Sequence, residues 1–118
     1  MQFVYLNTVT SSTTPASVVS TQSMVLKKLI IGNPVTAGNL TVHNTGNALA
    51  NDTTTIAFKL TLPTFSTTNT NTNQPVVVDF CTLGNAGVAE DGLSCASGCS
   101  IVLDQTMQVT ALWDYPSE

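Results

Sequence analysis

The chain has 118 residues, which is room for one domain around one hydrophobic core. Hydrophobic residues make up 42% of it but charged residues only 8%, far below the usual quarter, so Thr, Asn, Ser and Gln keep the surface in water. With a net charge of −4, no arginine, and lysines only at 27, 28 and 59, it lacks the cations that neutralise phosphates. That excludes nucleic acid and anionic membrane surfaces as expected partners.

From the start of the chain, Gln2–Leu6 is a short aromatic and β-branched run suited to an edge strand or an N-terminal arm. The opening six residues carry no basic flank and give way to polar Thr and Ser, so no secretory signal is expected. The Ser/Thr tract Asn7–Ser17 would let the first strand reach a neighbour. Residues 1–16 are therefore read as arm or edge strand plus linker, and 17–118 as the folded domain. Val18–Ile31 holds one long or two broken strands, and the adjacent Lys27 and Lys28 interrupt its alternation, which predicts a bulge or an exposed edge. Leu40–Asn44 is a further strand. The clearest is Thr53–Leu62, where Thr54, Ile56, Phe58, Leu60 and Leu62 are expected on the core face; Pro63, with no amide hydrogen to donate, ends it.

Ser66–Gln74 reads as a low-complexity surface loop, and Val76–Phe80 as a strand entered through Pro75. After the glycine- and cysteine-bearing segment 81–100, Ile101–Leu103 and Met107–Trp113 are expected as a C-terminal pair, with Met107, Val109, Ala111 and Trp113 on one face. No apolar run approaches the ~20 residues of a membrane span, and no segment sustains a helical period. About seven or eight strands separated by Gly/Asn/Pro turns predict an all-β fold, an antiparallel β-sandwich of jelly-roll type.

Residues able to carry chemistry are few. Cys81, Cys95 and Cys99 are an odd count, so at most one intrachain bridge forms. A tight Cys95–Cys99 disulfide, a pairing through Cys81, and free, partly buried thiols all stay open. With His43 the three cysteines have the ligand types of a Cys₃His zinc site, but not the usual spacing. No metal or cofactor is expected. Asp79, Glu90, Asp91, Asp104 and Asp114 show no spacing that sets two carboxylates across a cleft, and Asp79 reads as a solvated outer-face residue. The sole histidine, His43, stands beside Thr41 on the polar face of its strand and reads as a surface or interface residue rather than a general base. There is no G-x-S-x-G elbow, phosphate loop or dinucleotide fingerprint. No catalytic residue is assigned, and the chain is not expected to be an enzyme.

The remaining candidates are aromatic or apolar: Phe3, Val4 and Tyr5 near one end, and Trp113 and Tyr115 near the other. Such groups anchor interfaces or stack on sugars. The place of Trp113 on an apolar stripe favours burial, in the core or between subunits.

The strand run Met24–Ile31, then Asn39–His43, Thr55–Leu60, Val76–Phe80, the segment Asp91-Gly92-Leu93-Ser94, and the closing Met107–Tyr115 together resemble small structural proteins of tailed bacteriophages. Capsid decoration (cement) proteins and head fibres are the nearest in pattern. The resemblance implies a β-sandwich, commonly trimeric, made in the host cytoplasm and seated on the outer surface of the virion. Its implied partners are the major capsid protein and copies of itself. A tail or fibre component touching the host surface, and a carbohydrate-binding β-sandwich module, are the alternative expectations.

Overall fold

A computed structural model describes residues 2–32, 37–63, 75–83 and 92–116. The strands are β1 (Gln2–Leu6), β2 (Ser17–Ser20), β3 (Met24–Gly32), β4 (Gly38–His43), β5 (Ile56–Leu62), β6 (Val76–Asp79), β7 (Leu93–Cys95), β8 (Cys99–Leu103) and β9 (Gln108–Asp114). One helical turn, Phe80–Leu83, follows β6. The strands form two antiparallel sheets. Sheet A runs β1-β9-β3-β6, with β7 pairing β3 beyond the end of β6, and sheet B runs β2-β8-β4-β5. The predicted all-β sandwich is thus the observed fold, with nine strands among the described residues.

The core follows from the period of two. Met24, Leu26, Leu29 and Ile31 of β3, Val109, Ala111 and Trp113 of β9, Leu40 and Val42 of β4, and Ile101 and Leu103 of β8 all point between the sheets and are buried. Each large aliphatic side chain so buried contributes roughly 1.5–3 kcal/mol. The lysine pair in β3 fits because the register against β9 slips between Leu26 and Lys28. Leu26 stands opposite Trp113 and Lys28 opposite Leu112, leaving Lys27 as the extra residue of a bulge. Both leucines that flank the lysines thereby reach the core. The strand is not an edge: β9 lies on one side of it and β6 and β7 on the other.

Several local expectations are corrected. Ile101–Leu103 and Met107–Trp113 do not pair with each other: β8 lies in sheet B and β9 in sheet A, so the chain crosses the sandwich between them. In β5 the alternation holds from Phe58 to Leu62, but a second register slip sets His43 opposite Ile56 and Val42 opposite Phe58. Ile56 is thereby turned away from the core and is exposed. Thr54 lies before the strand rather than in it.

The tract Asn7–Ser17 does not run outward. β1 pairs along its whole length with β9 of the same chain. The tract then folds over the outer face of sheet B, held by Thr10 N–H to Leu103 O (2.8 Å) and Ala16 N–H to Ala48 O (2.7 Å). The expected loop Ser66–Gln74 lies outside the described residues.

Candidate interaction surface

The two outer faces of the sandwich are built differently. On sheet B Asn39, near the start of β4, is half-buried, while the outward side chains Thr41 and His43 of β4 and Ser100 and Val102 of β8 are buried. Two segments of the chain's own backbone cover them, bringing in Thr10, Ala16 and Ala48, which are buried as well. The polar atoms under this cover are partly paired within the chain. Ser100 Oγ donates to Thr45 O at 2.7 Å and accepts from Ala48 N–H at 3.3 Å. His43 Nδ1 lies 3.0 Å from Thr55 Oγ1, whose hydroxyl donates to Asp52 Oδ2 at 2.9 Å. His43 is therefore no surface or interface residue, contrary to the sequence expectation. The segment Asn44–Thr55, which hides it, has no strand period to announce where it packs.

The outer face of sheet A is covered at one end, where Val25 is buried with Gly92 against it, and among the described residues it is open across the rest of β1, β9, β3 and β6. Strand register sets Phe3, Leu112, Lys28 and Asp79 in one row across β1, β9, β3 and β6. Tyr5, Thr110, Ile30 and Val77 form the next row. Phe3 is 77% exposed, Tyr5 56% and Val77 53%, while Ile30 and Leu112 are half-buried between them. With strands ~4.8 Å apart, the four-strand face spans about 14 Å. These exposed apolar side chains make this face the candidate contact surface of the described residues.

Toward β6 the face opens into a hollow of about 150 Å³ lined by Lys27, Lys28, Asp79, Cys81 and Leu112. The bulge at Lys27 turns both lysines to this side, so two of the chain's three basic residues stand here. Asp79 faces them, directly opposite Lys28, and its Oδ1 accepts the Cys81 N–H at 2.9 Å. The hollow carries charges of both signs, two lysines and one aspartate.

The candidate aromatic residues divide. Phe3 and Tyr5 lie on the bare face, whereas Val4 points inward and packs against the core. Trp113 is core, 8% exposed, and its indole meets the exposed Tyr115 edge to face with centroids 5.1 Å apart. Ile30, Val77 and Leu112 were missed by sequence reasoning, because only the cross-strand register brings them together.

The sets considered for chemistry do not assemble. Cys81 is exposed beside Lys27, while Cys95 and Cys99 are buried together in the core. Among the described residues no three of His, Cys, Asp and Glu converge as a metal site. Asp104 is engaged at 2.6 and 2.8 Å by the backbone and side-chain amides of Asn39. Glu90 and Asp91 lie outside the described residues. Among the described residues no helix is long and apolar enough to cross a membrane. The chain matches no protein-family model, no curated protein and no solved structure.

Proposed function

We propose that the protein is a structural subunit of a phage particle, a decoration protein that binds the outside of the capsid shell through the bare face of sheet A. The observation that carries this reading is the contrast between the two outer faces. The chain spends two of its own segments covering much of sheet B and leaves Phe3, Tyr5, Ile30, Val77 and Leu112 in contact with water. Aromatic groups on a rigid strand face make efficient anchors, because little side-chain entropy is lost when they are buried.

The chemistry of the face also describes its partner. With Lys28 and Asp79 opposed in register, it offers no field of one sign, so an uncharged, apolar protein surface suits it better than a phosphate backbone. A capsid protein and further copies of this chain, as a homotrimer, meet that description. Subunit contacts would bury apolar area beyond what one small core supplies.

The test uses shells assembled with and without the chain. Shells lacking it release their genome at a lower temperature, and adding back the native protein restores the midpoint. The double variant F3T/Y5T, which keeps β-forming residues at an exposed edge, folds but neither binds nor restores. Equal release temperatures with and without the chain would remove the cement role, and full binding by F3T/Y5T would remove this face from it. A copy number of a few per particle would point to the tail instead.

A further inference from the structure

We infer that Cys95 and Cys99 are a disulfide-forming pair that staples sheet A to sheet B at one end of the sandwich, with Cys81 outside the bridge. Cys95 ends β7 and stands opposite Met24 in sheet A. Cys99 begins β8 and stands opposite Ser20 in sheet B. Only Ala96, Ser97 and Gly98 separate them, so the chain passes from one sheet to the other in a single tight turn, closed by Gly98 N–H to Cys95 O at 3.3 Å.

That turn is held from outside. Gly98 has φ +102°, and a Cβ placed there would stand 2.8 Å from Ser20 O. Ser97 N–H donates to Asn44 Oδ1 at 3.0 Å. Both thiols are fully buried in the main core cluster, at the two ends of this turn, and the neighbouring Cys95 together with burial pushes the Cys99 thiol up.

The same placement decides among the pairings that the sequence leaves open. Cys81 lies at the hollow on the outer face of sheet A, its Sγ 3.9 Å from Lys27 O, with the thickness of the sheet between it and the core. It cannot reach either buried thiol without unfolding. The bond forms from two thiols: both S–H bonds break, one S–S bond forms, and two protons and two electrons pass to a disulfide oxidant such as oxidised glutathione, which leaves as two thiols. Because both sulfurs are inaccessible in the folded chain, exchange takes place during folding or transient opening of the turn. Once closed, the bond is shielded from reducing thiols by the same burial. This inference is independent of what the bare face of sheet A binds.

The test is to refold the whole chain in a glutathione redox buffer, denature it under acid quench, alkylate it, and measure intact and peptide masses. The expected product is about 2 Da lighter than the reduced chain before alkylation, takes up one alkyl group, at Cys81, and yields a Cys95–Cys99 linked peptide. The C81S variant loses the same mass and takes up no alkyl group. Three alkylated cysteines after oxidative refolding, or a bridge through Cys81, would overturn the assignment. As a second readout, the oxidised chain should melt about 5 °C or more above the reduced one, and equal melting temperatures would overturn the stapling role.

Discussion

His43 Nδ1 stands 3.0 Å from Thr55 Oγ1, and the single hydroxyl proton of Thr55 is committed to Asp52 at 2.9 Å. Thr55 can then only accept from the ring, so Nδ1 carries the proton of the neutral imidazole. Burial of His43 holds its pKa below the ordinary 6.5, and the Asp52 carboxylate offsets this only in part. Between the lowered folded value and 6.5 the unfolded chain binds more protons than the folded one, so stability rises with pH there. Stability is therefore full above about pH 6.5 and declines as the pH falls below it. Asp52, held below its ordinary 3.8 chiefly by the Thr54 amide, adds a further loss at lower pH with the same sign. Urea midpoints compared at pH 7.5 and 5 should show the first decline in the native chain and lose it in His43→Gln. An unchanged slope in the variant would assign the decline to another group.

The cover over His43 depends on small residues. Ala48 is fully buried where its carbonyl accepts the Ala16 amide at 2.7 Å, leaving no room for a longer side chain. Ala48→Leu should destabilise the chain by about 1–3 kcal/mol through overpacking. It should also move the His43 titration toward its exposed value as water enters beneath the lifted segment. Denaturant melts and ring-proton NMR across pH 5–8 check the two effects separately. A variant that loses stability while His43 still titrates as in the native chain would place the strain elsewhere.

These two positions also show what the sequence discloses and what it hides. The sandwich was legible because strands such as Gln108–Asp114 carry their alternation in consecutive residues, and Gly/Asn/Pro turns divide one strand from the next. Phe3 and Tyr5, read from the sequence as candidate contact residues, are exposed on an edge strand. His43 was misplaced because its burial comes from the segment Asn44–Thr55, which folds back over the strand it follows and has no periodicity to show it. Ile56 was misplaced by a single extra residue in β5, since one slip of register exchanges the faces of everything beyond it. β7 was invisible: three residues, Leu-Ser-Cys, are too short to show a period and are a strand only through their pairing with Met24–Leu26 of β3, beyond the end of β6. Ile30, Val77 and Leu112 join Phe3 and Tyr5 only through the order β1-β9-β3-β6, which no local pattern encodes.

Gly98 supports the turn between the sheets in a conformation that L-residues avoid, with Ser20 O and Gly46 N crowding the missing side chain at 2.8 and 3.2 Å. Gly98→Ala should cost about 2 kcal/mol or more, from the unfavourable φ and from pushing backbone apart. Chemical denaturation at neutral pH measures it. A loss under half that size would mean that the turn relaxes to a conformation open to other residues.

The bulge in β3 yields a prediction about chain length. Lys27 is the residue without a partner on β9, and the ladders to β7 and β6 pair on either side of it, through Leu26 and Lys28. Removing one of the two lysines sets Leu26 and the remaining lysine opposite Trp113 and Leu112 in unbroken register, with Leu26 and Leu29 still facing the core. That deletion should fold and cost about 1–2 kcal/mol, the scale of one disturbed strand contact. Deleting Ile30 instead carries Ile31 to the outer face opposite Thr110 and puts Gly32 against Val109, where Ile31 is now fully buried. The lost burial and the cavity left behind should cost about 3 kcal/mol or more. Comparing the two deletions by urea unfolding isolates register from length, since both chains are shorter by one residue. Equal losses would show that the bulge at Lys27 does not set the register of β3.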